Sequence, residues 1–197
     1  NLRTIVARAA LAIASPMDTL GAPCLVVGPR GGDGWPRSDA EMVEGGKKIF
    51  HRENGVTIDV FKDWNEPMTK CVRRFPNVKA TGGTPLEDGI QYAMQEMSKR
   101  PERHRVILVL TDGVPANPPV CTRQIRQAAD AGIHVIGIAL DSGCKAAVQN
   151  LFPENVGVNS LPQLPNELLG VLDSIMFPKV GRKIKFDVML TAKKDKR

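Results

Sequence analysis

Asp112 follows the carboxyl end of a predicted buried strand, which is a common position for a binding site. It follows the apolar run Val106–Leu110, separated only by Thr111, and an unbroken run of this kind is typical of a strand buried on both faces. Ligands of open α/β sheets bind just outside the carboxyl ends of the strands. A carboxylate there predicts a bound cation. The alternative is structural, because Asp112-Gly113 is a common turn pair in which the carboxylate caps the turn.

Sequence motifs of hydrolase active sites and of phosphate loops are missing, so we identify no candidate catalytic residue. HExxH and GxSxG do not occur. The six glycines from Gly28 to Gly46 lack the GxxxxGK[ST] order of a phosphate loop, which favours a surface loop there. The four cysteines are scattered without a CxxC pair, which indicates reduced thiols and a cytoplasmic protein. No apolar run reaches the roughly 20 residues of a membrane-spanning helix.

The elements that must position Asp112 follow one another as strand, helix and strand. Arg105–Leu110 and Ile133–Leu140 are predicted buried strands, and a helix is predicted over Cys121–Ala131 between them. A βαβ unit of this order requires parallel strands and a right-handed crossover. The predicted fold class is therefore α/β.

A helix is also predicted over Thr84–Lys99, with two start signals. Thr84-Pro85-Leu86-Glu87 is a capping box, in which Thr84 is the N-cap and Pro85 takes the first helical position. Five further elements are predicted: a helix over Leu2–Ile13 that ends at Ser15-Pro16, a short buried strand at Cys24–Val27, an edge strand at Val56–Phe61, a short strand at Asn155–Asn159 and a helix over Leu161–Met176.

Three segments give the chain a resemblance to a known family: ATGGTPLEDGI (Ala80–Ile90), RVILVLTDG (Arg105–Gly113) and GIHVIGIAL (Gly132–Leu140). Together they resemble the von Willebrand factor A domain. Within that superfamily the chain looks most like the C-terminal domain of cobalt- and magnesium-chelatase subunits and like related phage-encoded proteins. The resemblance covers residues 1–177 and implies a Rossmann-like, mostly parallel sheet with helices on both faces.

The resemblance also implies a metal-ion-dependent adhesion site. In this family the site joins a DxSxS loop, a threonine loop and an aspartate loop, and here Thr84 matches the threonine and Asp112 the aspartate. The implied cofactor is Mg²⁺ or Mn²⁺, with one coordination position open for an acidic side chain of a protein partner. For Thr84 this role as a ligand is compatible with the role as an N-cap.

The sequence departs from the family pattern at the DxSxS loop, because no aspartate is followed by serine at both the second and the fourth position. In the family this loop ends the first, central strand and leads into the first helix, which Asn1–Ala14 resembles. Without that strand two rows of buried backbone groups would be unpaired, at about 1–3 kcal/mol for each group. We therefore expect the natural protein to extend upstream of Asn1 with the missing strand and loop.

The net charge of +6 resides in a C-terminal tail, residues 178–197. Residues 179–197 carry eight basic and two acidic side chains, whereas the other 178 residues carry 19 of each sign. Lys183–Leu190 alternates polar and apolar residues, which predicts an amphipathic strand able to pair with a sheet edge. A solvated basic end is the preferred interpretation of the last residues, and nucleic-acid binding through 179–197 is the alternative.

These observations predict a protein-binding module that is not an enzyme by itself. The resemblance implies an AAA+ ring or a chelatase subunit as its partner, and hence a place in cobalamin biosynthesis. The alternative is a structural or assembly protein, such as a component of a phage particle, that keeps the fold without a metal. Such a protein would be found in the virion.

Overall fold

The structure is a computed structural model, and it describes residues 2–31, 42–44, 47–50, 56–78, 84–111, 114–115, 117–140, 142–157, 163–164, 167–168 and 170. The helices are α1 (Leu2–Thr19), α2 (Met68–Cys71), α3 (Leu86–Ser98), α4 (Pro118–Asp130) and α5 (Lys145–Leu151), with a 3₁₀ helix over Val72–Asn77. The strands are β1 (Val26–Gly31), β2 (Met42–Glu44), β3 (Lys47–Phe50), β4 (Val56–Lys62), β5 (Arg105–Thr111), β6 (Ile133–Ala139) and β7 (Glu154–Gly157). The predicted tail 178–197, with its strand 183–190, lies outside the described residues.

The described strands form three separate sheets. β5, β6 and β7 make a parallel sheet in that order, with Arg105 opposite Ile133 and Thr111 opposite Ala139. β1 pairs with β4, and β2 with β3, both antiparallel. Because α4 lies between β5 and β6 in the chain, the predicted βαβ unit and the α/β class are confirmed.

Helices cover both faces of the parallel sheet. Alternate residues of a strand point to opposite faces, so neighbouring residues of β5 pack against different helices. Ile107 and Val109 of β5 pack in one core with Ile90 of α3 and Ile125 of α4. Leu108 and Leu110 pack on the other face, in a core that includes Ala9 of α1. In the part of the chain that the structure describes, no helix is long and apolar enough to cross a membrane.

α1 continues through Pro16, so the predicted helix end at Ser15-Pro16 is wrong. Proline removes one backbone donor from the helix, but the following turn still closes: the amide of Leu20 donates to the Pro16 carbonyl at 2.9 Å. The helix stops just before Gly21, whose φ is 68°. This left-handed conformation favours glycine and is a common way to end a helix.

The glycine-rich segment from Gly28 is not a loop throughout, which corrects the prediction for Gly28–Gly46. β1 is half-buried and reaches Gly31 instead of ending at Val27. It does so because β4 pairs with it along its length, up to Gly31 opposite Val56. β2 lies within the same segment and pairs with β3.

Gly137 of β6 has no room for a side chain, because Phe152 covers it. A Cβ atom built there would lie 2.3 Å from Cδ2 of the fully buried Phe152 ring. Since overpacking forces the ring or the strand to shift, we expect Gly137→Ala to lower the free energy of unfolding by about 1–3 kcal/mol in urea titrations. Gly170→Ala is the matched control, because nothing lies within 4 Å of its added Cβ. Equal effects of the two substitutions would contradict the prediction.

Candidate functional site

The carboxyl ends of β5 and β6 form the edge at which the sequence predicts the site. Thr111 is the last residue of β5, is 6% exposed and lies opposite the last residue of β6. Its carbonyl accepts from the Leu140 amide and from the Sγ of Cys144, each at 3.5 Å. These contacts fix the backbone from which Asp112 continues. Asp112 itself lies outside the described residues.

Thr84 borders the same cavity as Thr111. The cavity has a volume of about 390 Å³ and lies between β1 and β5, with the start of α3 on its border. Thr84 is half-buried there, two residues before α3 begins. The structure thus brings the predicted threonine and the residue that precedes the predicted aspartate to one cavity.

The predicted capping box at the start of α3 is wrong. Pro85, and not Thr84, occupies the N-cap position, with φ −79° and ψ 58°, and the Pro85 side chain makes no capping hydrogen bond. The Leu86 amide donates instead to the backbone carbonyl of Thr84 at 2.8 Å. Proline fixes φ near −65° at its own position, and here it stands one residue before the helix. The Thr84 hydroxyl is therefore not needed as a cap.

Glu87 and Asp88 are buried carboxylates in the first turn of α3, at 3% and 8% exposure. The Cys121 thiol of α4 donates toward Oε2 of Glu87 at 3.9 Å, and negative charge in a first helical turn is favoured by the helix dipole. The predicted capping box includes Glu87 and gives no indication that its side chain is buried. A signal for its burial does exist, because Glu87 precedes Ile90 by three residues and so lies beside the apolar stripe.

The helix that follows β5 has its own cap, which bears on the alternative role of Asp112. Asn117 is the N-cap of α4, and its side-chain oxygen accepts from the Val120 amide at 3.3 Å. α4 therefore does not require the Asp112 carboxylate as its N-cap. A role for Asp112 in the turn directly after β5 stays a prediction.

A cation site made by Thr84 and Asp112 stays a prediction, and it rests on the chemistry of their oxygen atoms. Hydroxyl and carboxylate oxygens are the ligands that Mg²⁺ takes from proteins, while it keeps several waters. Over the ranges that the structure describes, no group of three or more His, Cys, Asp or Glu side chains is placed to hold a metal ion. A full ligand set would therefore need Asp112 and oxygen donors from a further loop.

The Cys121 thiol makes a pH-dependent contribution to stability. Burial, together with the nearby charge of Glu87, raises its pKa to about 12, whereas the pKa of a thiol in an unfolded chain is about 8.5. The unfolded chain therefore loses this proton first, and the native state loses stability as the pH rises from about 9 toward 12.

We expect the free energy of unfolding to fall by up to about 1.4 kcal/mol for each pH unit in this range from Cys121 alone. Cys121→Ala should make that fall shallower in urea titrations from pH 8 to 10.5, whatever its effect on stability at pH 7. Thr122→Ala, at the exposed neighbouring position, should keep the original slope. Identical slopes for the two variants would contradict the prediction.

The comparison with known proteins supports an α/β fold with a parallel sheet. The family model described as von Willebrand factor type A domain matches residues 61–160, which is 100 of the 197 residues and includes Thr84 and Asp112. No curated protein matches the chain. Domains of this family commonly act as protein-interaction modules. Since the match covers half of the sequence, the chain belongs to the von Willebrand factor type A domain family.

Proposed function

We propose that this chain is a protein-binding module that holds Mg²⁺ or Mn²⁺ at the carboxyl edge of its sheet and captures an acidic side chain of a partner protein. Thr84 and Asp112 are the ligands that the chain would supply. The observation that carries the proposal is the shared cavity, because Thr84 and Thr111, the residue before Asp112, border it together. The common role of the family in protein–protein interaction supports the same conclusion.

The surrounding contacts suit this role. The Thr84 hydroxyl is not occupied as the cap of α3, and α4 takes its cap from Asn117. The backbone of Thr111 is held by the Leu140 amide and the Cys144 thiol, which would limit the movement of Asp112. When bound, the cation would supply an open position that attracts a carboxylate. The chain's own part is to hold the cation and orient that position, so the module is non-catalytic.

The third loop of the site belongs to the same proposal. Thr84 and Asp112 represent two of the three loops that the family's site joins, and the sequence holds no DxSxS motif. The resemblance to the family implies a DxSxS loop as the third part of the site, and in the family this loop leads directly into the helix that corresponds to α1.

The partner that we propose is an AAA+ ring or another subunit of a metal-chelatase complex, in the cytoplasm. The support for this choice is the resemblance of the segments around Thr84 and Asp112 to chelatase subunits. An acidic side chain on such a partner would complete the coordination of the cation.

Divalent metal should stabilise the full-length natural protein through Asp112. At a Mg²⁺ concentration 100 times its dissociation constant, we expect the free energy of unfolding to rise by about 2.7 kcal/mol relative to EDTA. Asp112→Ala should abolish this rise, and Thr84→Val should reduce it while Thr84→Ser retains it. Urea unfolding with Mg²⁺, with Mn²⁺ and with EDTA measures each effect.

Asp130→Ala is the control, because Asp130 is an exposed carboxylate at the end of α4 and should leave the response to Mg²⁺ unchanged. If the natural protein unfolds identically in Mg²⁺ and EDTA, the metal site is wrong. That result would favour the assembly protein, such as a component of a phage particle, which uses the fold without a metal.

A further inference from the structure

β4 has an edge that no described strand covers. Of the strands that the structure describes, β4 pairs only with β1, from Val56 opposite Gly31 to Lys62 opposite Val26. Because β4 has seven residues, its other edge presents a long row of backbone donors and acceptors to a further strand. This edge faces away from β1 and therefore away from the cavity between β1 and β5. An interface at this edge would not involve the proposed metal site.

β4 lacks the features that protect an exposed strand edge. Natural proteins keep such edges apart with charged side chains, proline, bulges or a short strand. The two charged residues of β4 are both engaged: Asp59 binds Arg30, with 2.7 Å between Oδ2 and Nε, and the Lys62 side chain is 2% exposed. β7 at the edge of the parallel sheet differs, because it has four residues, follows Pro153 directly and begins with Glu154. Compared with β7, β4 is therefore the more open to pairing.

The two faces of β4 differ in their chemistry. Val56, Ile58 and Val60 alternate along one face and are apolar, and Val60 is 41% exposed. Thr57 and Asp59 lie on the other face and are polar. A strand that meets the open edge of β4 with apolar residues on the first face and polar residues on the second would match both.

We propose that β4 pairs with β4 of a second copy of this chain, antiparallel and about a two-fold axis at Ile58. This register places Ile58 opposite Ile58 and Val56 opposite Val60 of the second copy, so the apolar residues of the two copies line one face. On the other face Thr57 lies opposite Asp59 of the second copy, and its hydroxyl can donate to the carboxylate. Cross-strand pairs of both kinds stabilise a sheet.

A two-fold axis at Asp59 gives a poorer match. Opposite residues of paired strands share one face, so this is the neighbouring register of the same kind. It places Asp59 opposite Asp59 and Val56 opposite Lys62. Like charges directly opposite each other are destabilising, so Asp59 selects the register at Ile58.

The tail segment Lys183–Leu190 is the competing occupant, because its predicted strand is also apolar on one face. Leu164 and Leu168, which lead toward the tail, pack with Val156 of β7, whereas β4 lies beyond β5 and β1. The tail would have to cross the fold to reach β4. Closing a long connection costs chain entropy, so the second copy is favoured over the tail.

Val60→Lys tests the interface, and Val72→Lys is the matched control. Both valines are 41% exposed, but Val72 lies on the 3₁₀ helix and not on β4. The dissociation constant of the dimer is measured by sedimentation equilibrium in EDTA, at chain concentrations up to about 0.5 mM because a single strand pair is a small interface. We expect Val60→Lys to raise this constant at least tenfold, since the lysine enters a symmetric interface twice, and Val72→Lys to change it less than twofold.

A complementary charge tests the register. In the register at Ile58, position 60 of one copy lies opposite position 56 of the other, so a Val60→Lys chain and a Val56→Glu chain form an ion pair in a mixed dimer. We expect the mixed dimer to be at least tenfold tighter than a dimer of either variant with itself. In the register at Asp59, position 60 lies opposite position 58, and mixing would gain nothing.

Three results would each overturn the proposal: a chain that stays monomeric up to about 0.5 mM, equal effects of Val60→Lys and Val72→Lys, or no preference for the mixed dimer. Removal of residues 179–197 should leave the dissociation constant unchanged. A dimer that appears only after this truncation, or is lost with it, assigns the open edge of β4 to the tail and also overturns the proposal.

Hydrogen exchange on the unmodified chain decides the matter if Val60→Lys fails to fold. The alternate β4 amides that do not donate to β1 should exchange more slowly as the chain concentration rises, because dimer formation pairs them. The amides of β7 should not respond. Exchange of the β4 amides that is independent of concentration would contradict the pairing of two copies.

Discussion

The backbone hydrogen bonding of β5 is the constraint on which the rest of this structure depends. β5 is covered on one face by α1 and on the other by α3 and α4. Its pairing with β6 satisfies one edge. Unpaired buried backbone groups are rare in folded proteins because each costs free energy. The positions of the β5 residues therefore depend on this pairing and on the helices that cover the strand.

Helix α1 packs against both the parallel sheet and the antiparallel β1–β4 pair. Ala9 packs in the core of the parallel sheet, whereas Ala10 and Ala14 pack with Phe61 at the end of β4. The small side chains let the helix approach both sheets closely.

Lys62, at the end of β4, anchors the antiparallel pair to α1 by a second route. Its side chain is 2% exposed, and its Nζ donates to the carbonyls of Cys24 and Asp63, each at 3.2 Å, and lies 3.9 Å from Oδ1 of Asp18 on α1. The other oxygen of Asp18 accepts from the amide of Met68 at 3.1 Å. A buried ammonium is tolerated only with such partners, so these contacts act as a unit. The orientation of β1 toward the cavity follows from this anchorage.

The sequence predicted those elements whose signal is local and missed those that depend on a distant partner. β5, β6 and α4 were predictable because their apolar patterns reflect burial in one continuous unit. The length of β1 was not, because Gly28, Pro29 and Gly31 disfavour a strand and only the pairing with β4 offsets this. The capping box failed for a related reason: Thr84-Pro85-Leu86-Glu87 fits the local rule, but the Glu87 side chain is buried and contacts Cys121 of α4 instead.

The absence of a capping role for Thr84 supports its proposed role as a metal ligand. A threonine that caps a helix has a structural reason to be there, whereas Thr84 is not the N-cap of α3 and is half-buried at the cavity that Thr111 also lines. A metal site needs ligands held within about 0.5 Å of their working positions by the elements behind them. For the proposed site those elements would be α3, which begins two residues after Thr84, and β5, which ends one residue before Asp112 in the sequence. Both elements border the cavity and pack in one core, so the packing of α3 against β5 would set the distance between the two proposed ligands.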